Sequence, residues 1–155
     1  MAKTNALRLL DQKKITYRIV EYIYDAENLD VAKIASDNGL EIGQVFKTLV
    51  CKGDKTGVFV TIIPGDQQLD LKKTAKASGN KKIALLPLND LTKTTGYIRG
   101  GCSPLGMKKN YPVFIDDVAE NWDEILINAG TRGMLFGVEP VVLANVFRFV
   151  WAEMC

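Results

Sequence analysis

Histidine is absent from this sequence of 155 residues. Its absence excludes Ser-His-Asp and Cys-His catalysis, and it removes the imidazole ligands of most catalytic zinc sites. Any chemistry must therefore depend on lysine, arginine, carboxylate, hydroxyl or thiol groups, on main-chain amides, or on the substrate itself.

An excess of charge and long apolar runs are also missing. Twenty basic and 18 acidic side chains leave a net charge of +2, which excludes a basic coat for nucleic acid and leaves only local contacts. No apolar run approaches the ~18 to 20 residues that span a bilayer, and residues 1–5 lack the apolar core of a signal peptide. We therefore expect one cytoplasmic domain over residues 1–155, without a membrane partner.

The three cysteines, Cys51, Cys102 and Cys155, are far apart in the sequence. An odd and widely spaced set fits neither a metal knuckle nor a disulfide framework. The chain also lacks the clustered carboxylates that would bind a metal without histidine, so a metal-dependent hydrolase is disfavoured. We expect neither a metal nor another cofactor.

Strand-forming residues dominate the middle of the chain, and helical patterns lie between them and at both ends. Two β-branched runs, 45–51 and 58–63, flank a glycine-containing turn and predict a hairpin. Further strands are predicted at 17–23, 83–86, 113–115, 124–127 and 134–138. Helices are predicted near the N-terminus, over 31–38 with Asp30 as its cap, from Asp70, and from Pro140. This order predicts a mixed α/β or α+β fold whose curved central sheet is covered by helices.

Two glycine-rich loops carry the strongest signal for a site. The first, 100–106, reads Gly-Gly-Cys-Ser-Pro-Leu-Gly. Its paired glycines allow main-chain N–H groups to approach a carbonyl or phosphate oxygen closely, although a tight turn that only folds the chain is the alternative. The second, 128–133, places Arg132 between two glycines, where it either binds a phosphate or carboxylate or is an ordinary surface arginine.

Two reactive side chains also need an interpretation. Lys47 interrupts an apolar strand, and a lysine on a mostly buried face requires an anion or the mouth of a pocket; the alternative is a lysine that snorkels at a sheet edge. Cys102 lies in the first glycine loop, but no histidine is available to activate its thiol, so we do not expect a nucleophile there. Lysines in the range 72–82 and at 108–109 would follow an RNA backbone if they border this loop.

Five short motifs occur in one order along nearly the whole chain: Phe-Lys-Thr-Leu at 46–49, Leu-Asp-Leu-Lys-Lys at 69–73, Gly-Tyr at 96–97, the loop 100–106, and Gly-Thr-Arg-Gly at 130–133. Together they resemble the YbaK family, which includes free-standing deacylases similar to the editing insertion of bacterial prolyl-tRNA synthetase. The resemblance implies a strongly curved mixed sheet or β-barrel surrounded by helices. It also implies an enzyme that cleaves the ester of a mischarged aminoacyl-tRNA, with the acceptor end of tRNA(Pro) as a partner and prolyl-tRNA synthetase as a candidate partner.

The resemblance assigns roles to ten residues. Lys47, Gly101 and Ser103 would form the catalytic set, with Lys47 positioning the acceptor end or its phosphate. The substrate pocket would be formed by Tyr22, Thr48, Gly100, Cys102, Pro104, Gly130 and Arg132. The best-known family member acts on Cys-tRNA(Pro), and the thiol of its substrate attacks its own ester. Positioning and main-chain donors then suffice without histidine.

Two departures from the pattern of the cysteinyl-specific enzymes concern the choice of substrate. Asn128-Ala129 stands in place of a Ser-Gly pair, and Leu135 and Gly137 stand where those enzymes tend to be acidic. We expect removal of cysteine from tRNA(Pro). The alternatives are a deacylase for another small amino acid, such as alanine on tRNA(Pro), and a non-catalytic tRNA-binding adaptor domain.

Overall fold

The computed structural model describes residues 3–155. Met1 and Ala2 lie outside the described residues. They are the first two residues of the domain predicted over 1–155 and of the segment predicted to lack a signal peptide. The helices are α1 (Asn5–Gln12), α2 (Val31–Asp37), α3 (Leu71–Ser78), α4 (Leu88–Thr95) and α5 (Pro140–Phe147). The strands are β1 (Arg18–Glu21), β2 (Phe46–Gly53), β3 (Gly57–Pro64), β4 (Ile83–Leu85), β5 (Val113–Asp116), β6 (Ile125–Asn128), β7 (Met134–Val138) and β8 (Val150–Ala152). No helix within residues 3–155 is long and apolar enough to cross a membrane.

The larger sheet has five strands in the order β4-β2-β3-β5-β8. Its centre is the predicted hairpin, in which β2 and β3 pair from Phe46↔Pro64 to Gly53↔Gly57. The turn closes at Gly57, whose positive φ of 74° favours glycine. Strands β3 and β5 pair in parallel, as do β5 and β8, so helices and long connections must return the chain between them.

The smaller sheet has three antiparallel strands in the order β1-β7-β6. A single parallel bridge, Val45↔Leu126, connects it to the larger sheet. The predicted mixed α+β class is confirmed. The strands form two sheets, and the larger one is not closed into a barrel, because β4 and β8 remain its open edges and β1 pairs with β7 in the smaller sheet.

Local sequence determines where most helices begin. The Thr4 hydroxyl accepts a hydrogen bond from Leu7 N at 3.2 Å at the start of α1, and the Asp70 carboxylate accepts one from Lys73 N at 2.9 Å at the start of α3, as N-caps do. Asp30 stands at the N-cap position of α2, but its side chain makes no capping hydrogen bond. The predicted capping role of Asp30 is therefore wrong, and its carboxylate is left for other contacts.

The main core lies between α1, α5 and the inner faces of both sheets. Its fully buried members include Leu7, Leu10, Ile62, Ile115, Phe136 and Leu143. Burying each such side chain stabilises the fold by roughly 1.5–3 kcal/mol. One consequence matters for the site: β4 pairs only with residues 51–53 of β2. The first half of β2 is therefore paired with β3 on one side and leaves an open edge on the other, beyond the Val45↔Leu126 bridge to β6.

Candidate active site

A cleft of about 470 Å³ lies along the open edge of β2. Its walls come from β2, the start of α2, the segment 85–91 and the loop around residue 100. Most lining side chains are apolar; they include Leu29, Val31, Ile34, Leu86, Leu91 and Leu135. The charged side chains in the lining are Lys47, Arg99 and Asp30. A concave apolar wall with a few polar groups is typical of a small-molecule site.

Half of the predicted site residues line this cleft. They are Tyr22, Lys47, Thr48, Gly100 and Cys102. The others, which lie in the two glycine loops behind the lining, are Gly101, Ser103, Pro104, Gly130 and Arg132. The structure therefore brings the predicted elements together at one place, and it separates residues that face a ligand from residues that shape the loops. The catalytic and binding roles themselves stay predictions.

Lys47 is half-buried in the wall of the cleft. None of the ion pairs within residues 3–155 involves Lys47 or Arg99. Lys47, which is half-buried in an apolar wall, attracts an anionic group more strongly than it would in open solvent, and the exposed Arg99 adds a second positive charge to the lining. The site is therefore suited to a ligand that carries a phosphate.

The first glycine loop packs against the second. A Cβ at Gly101 would lie 3.1–3.2 Å from main-chain atoms of Thr131 and Arg132, and the Gly101 N–H donates to Ile98 O at 2.9 Å. The close approach that requires glycine at position 101 is thus to the protein's own second loop. The N–H of Gly101 is used within the turn, and the residue is buried and does not line the cleft; its catalytic role stays a prediction.

Ser103 and Pro104 complete the turn. Ser103 is fully buried, and its hydroxyl accepts a hydrogen bond from Leu105 N at 3.3 Å. Pro104 is also buried. Serine hydroxyls stabilise turns in this way, so the geometry places the Ser103 hydroxyl in the turn and away from the cleft.

Gly130 and Arg132 hold the second loop in place. Gly130 has a φ of 100°, and a Cβ there would lie 3.0 Å from the ring of Tyr97. Arg132 Nε donates to Arg99 O at 2.9 Å. The guanidinium therefore joins one loop to the other through a main-chain carbonyl, beside the cleft lining.

Asn128 is the functional candidate that sequence reasoning treated only as a departure from the family pattern. Its Nδ2 donates to Gly100 O at 2.8 Å and lies 3.4 Å from the hydroxyl of Tyr22. Its Oδ1 accepts from Gly130 N at 2.7 Å and from Thr131 N at 3.2 Å. One side chain thus joins both glycine loops. The Asn-x-Gly pattern at the end of a strand, typical of a side chain that bonds the backbone two residues on, is the signal that could have found it.

No activated nucleophile is present among the residues that line the cleft. Burial raises the pKa of the Cys102 thiol to about 12, against a smaller lowering by the hydrogen-bonded Thr95. Burial also raises the pKa of the Tyr22 hydroxyl above its ordinary value. Because a thiolate or phenolate would be scarce at neutral pH, the cleft is built for binding and positioning.

The sequence profile of the aminoacyl-tRNA editing domain matches residues 25–146 of the chain, a range that contains β2 and both glycine loops. The chain belongs to the aminoacyl-tRNA editing domain family, and the resemblance drawn from the five motifs is confirmed.

Individual relatives agree with this family. The chain is 47% identical, over 97% of its length and 92% of the other protein, to the Enterococcus faecalis protein named "Putative Cys-tRNA(Pro)/Cys-tRNA(Cys) deacylase EbsC". A crystal structure described as "a putative trans-editing enzyme for prolyl tRNA synthetase" has a TM-score of 0.82 at 25% identity, and the match covers 99% of this chain and 98% of that one. Proline–tRNA ligase of Fervidobacterium nodosum is 29% identical over 57% of this chain and 17% of the ligase.

Proposed function

We propose that this protein removes cysteine from mischarged tRNA(Pro) by cleaving the ester between the amino acid and the terminal ribose. The observation that carries the proposal is the 47% identity, over 97% of the chain, to a relative whose name gives this activity. The cleft agrees with it, because the motif lysine Lys47 lines an apolar cavity next to the first glycine loop.

The reaction needs no nucleophile from the protein. The sulfur of the substrate's own cysteine attacks the ester carbonyl carbon, the bond from that carbon to the ribose oxygen breaks, and the ribose oxygen takes the thiol proton. The products are a cysteine thiolactone and a tRNA with a free 3′ end. This route fits a cleft whose own thiol, that of Cys102, has a pKa raised to about 12 by burial.

The protein's contribution is to hold and orient the reacting groups. Lys47 and Arg99 would bind the phosphate of the acceptor end, and the apolar wall would hold the aminoacyl group in a dry environment. Orientation of two reacting groups within one bound molecule accelerates a reaction strongly without a further catalytic residue. The ester is already reactive, so this acceleration is sufficient.

Selection among amino acids would depend on those residues lining the cleft that differ from the pattern of the cysteinyl-specific enzymes. Leu135 and Asn128 line it, whereas a Cβ at Gly137 would meet the carboxylate of Glu124 at 2.6 Å, outside this cavity. An apolar wall at Leu135 fits small uncharged side chains, including those of both cysteine and alanine. Because the two differ little in size, we infer that the thiol-dependent reaction, more than the pocket volume, distinguishes cysteine from alanine.

We further infer that the enzyme acts in trans beside prolyl-tRNA synthetase, in the cytoplasm where tRNA is charged, and that residues 1–155 form one editing domain. Support comes from the crystal structure described as a trans-editing enzyme for prolyl tRNA synthetase and from the partial match to a proline–tRNA ligase.

The test is deacylation of three labelled substrates, Cys-tRNA(Pro), Cys-tRNA(Cys) and Ala-tRNA(Pro), each against its spontaneous hydrolysis. We expect rapid loss of cysteine with thiolactone as the first product, and slow loss of alanine. Faster loss of alanine would change the substrate. Binding of all three RNAs without cleavage would contradict the enzymatic proposal and favour an adaptor domain.

A further inference from the structure

The open edge of β2 supplies main-chain hydrogen-bonding groups to the cleft. β2 pairs with β3 along its full length, but on the opposite side β4 reaches only residues 51–53. Residues 46–50 all line the cleft. The middle of this open stretch is Thr48.

Two hydrogen bonds fix the direction in which the Thr48 main chain points. In an antiparallel pair only every second residue bonds to the partner strand, and the residues between them point outward. Gly65 N donates to Val45 O at 2.7 Å, so odd-numbered residues of this stretch bond toward β3. Leu86 N donates to Val50 O at 2.9 Å on the other side, so even-numbered residues point away from β3. The N–H and C=O of Thr48 therefore point toward the open edge.

These groups have no partner among the residues that the structure describes. No turn, loop or side-chain hydrogen bond within residues 3–155 reaches the Thr48 main chain, and in the strand ladders Thr48 lies opposite Ile62 of β3, whereas β4 begins to pair only at Cys51. Thr48 Oγ1 is also buried there without a hydrogen-bond partner. Buried polar groups are nearly always paired in folded proteins, so the buried, unpaired Oγ1, beside an N–H and a C=O that point into the cleft, indicates a ligand that completes the pairing.

We propose that the main chain of Thr48 binds the main chain of the aminoacyl group, as one residue of a strand binds its opposite residue. The inference rests on the proposed deacylase function. An aminoacyl ester carries an amino nitrogen, a Cα and a carbonyl in the same order as a residue of a peptide. The Thr48 C=O accepts from the α-ammonium group, and the Thr48 N–H donates to the ester carbonyl oxygen, where negative charge develops during attack.

The Thr48 N–H also takes the place of a main-chain donor that was expected from the first glycine loop at Gly101. The Gly101 N–H is engaged by Ile98 O at 2.9 Å, and Gly101 is buried behind the lining. Thr48, by contrast, lies in the lining and beside Lys47. The N–H and C=O of Thr48 would bind the carbonyl oxygen and the amino nitrogen, two atoms that all α-aminoacyl groups share.

The pairing defines the substrate class: α-aminoacyl esters with a free amino group. N-acylated esters, including those of peptides, lose the positive charge and two of the three N–H groups of the ammonium, so only an uncharged N–H remains for Thr48 C=O, and they add bulk at the β2 edge. The competing receptor for an ammonium group is the carboxylate of Asp30, the acidic side chain of the lining.

The substrate side is tested with the wild-type protein and three tRNA esters that all keep the thiol: cysteinyl, N-acetylcysteinyl and 3-mercaptopropionyl. Rates are divided by the spontaneous loss of each ester, because the α-ammonium group also affects intrinsic reactivity. We expect the enhancement to fall by about 10- to 100-fold for both altered esters, since each loses a charge-assisted hydrogen bond. The 3-mercaptopropionyl ester has no added bulk and so isolates the missing amino group.

The outcomes distinguish the deacylase proposal from the proposed pairing with Thr48. Lack of cleavage of the cysteinyl ester itself would overturn the deacylase proposal, and this inference with it. Full enhancement on the 3-mercaptopropionyl ester, together with cleavage of the cysteinyl ester, would overturn the Thr48 pairing alone. Loss of the discrimination in Asp30→Asn would also overturn it, because the carboxylate would then be the receptor.

The protein side is tested by comparing Thr48→Pro with Thr48→Ala. Both lose the side chain, but only proline loses the N–H, and proline is tolerated where an edge N–H points away from the sheet. We expect Thr48→Pro to stay folded and to show a kcat about 100-fold below that of Thr48→Ala with a similar KM. Leu49→Pro, which removes an N–H directed at β3, should unfold. Equal kcat values for the two Thr48 variants, or unfolding of Thr48→Pro as severe as that of Leu49→Pro, would overturn the assignment.

Discussion

Replacing Asn128 by aspartate should weaken the junction between the two glycine loops without changing the size of the side chain. Asn128 Oδ1 accepts from Gly130 N and Thr131 N, and an aspartate keeps both bonds. Nδ2 donates to Gly100 O at 2.8 Å, and an ionised aspartate places an oxygen without a proton there. The Gly100 carbonyl then faces another acceptor and keeps only the longer hydrogen bond from the Tyr22 hydroxyl, at 3.5 Å.

The expected loss of stability follows from the loss of this one hydrogen-bond donor. A typical hydrogen bond contributes about 0.5–1.5 kcal/mol, and leaving a buried carbonyl unsatisfied costs about 1–3 kcal/mol. Gly100 is half-buried, so the lower part of this range applies. We expect the free energy of unfolding to fall by about 1–1.5 kcal/mol, which lowers Tm by roughly 2–6 °C in a domain of this size.

The assay is urea and thermal denaturation of Asn128→Asp beside Asn145→Asp. Asn145 is exposed on α5, so the same chemical change there should alter stability by no more than about 0.5 kcal/mol. Deacylation of Cys-tRNA(Pro) should fall in Asn128→Asp and not in Asn145→Asp. Equal stability of the two variants would refute the inference that Asn128 joins the loops.

Three further predictions concern the same site. Gly101→Val should abolish turnover and lower stability by about 1–3 kcal/mol, because its side chain would collide with the main chain of Thr131 and Arg132; denaturation and deacylation assays check both parts, and a stable, active variant would contradict the packing. Cys102→Ser should keep deacylation activity. Iodoacetamide at pH 8.5 should label Cys102 far more slowly in the folded than in the unfolded protein, because burial raises the pKa of this thiol to about 12. Rapid labelling, or complete loss of activity in Cys102→Ser, would indicate a reactive thiol. Arg132→Lys should reduce activity despite its retained charge, because lysine lacks the Nε–H that bonds Arg99 O; unchanged kcat/KM would show that this bond is dispensable.

Local patterns predicted the parts of the fold that are encoded by neighbouring residues. The β2–β3 hairpin follows from two β-branched runs around a glycine turn. Helix α3 has Asp70 as its N-cap and Gly79, whose φ is 80°, as its C-cap. The two-sheet arrangement could not be predicted in this way. The pairing of β1 with β7, and the parallel pairing of β3 with β5, join segments that are distant in sequence, and tertiary packing decides such contacts.

In the site, too, local sequence predicted some features, and tertiary packing decided the others. Residues from several of the motifs meet at the cleft, and Lys47 and Thr48 line it, while their roles in a site stay predictions. Sequence alone could not distinguish a glycine that faces a ligand from one that faces its own chain, so Gly100 and Gly101 received similar interpretations although only Gly100 lies in the lining. Asp30 and Arg99 were not identified as lining residues because nothing in their local sequence indicates a shared cavity.

The most direct test of the central claim is single-turnover deacylation of Cys-tRNA(Pro) by wild type, Lys47→Ala and Lys52→Ala. Lys52 lies on the same strand, is exposed and does not line the cleft, so Lys52→Ala controls for the loss of one positive charge from β2. If this cleft is the editing site, wild type and Lys52→Ala cleave the ester at similar rates. Lys47→Ala, with unchanged thermal stability, is then slower by about 100-fold, as expected for the loss of a charge-assisted contact. Equal rates for all three folded proteins would contradict the assignment of the cleft as the editing site.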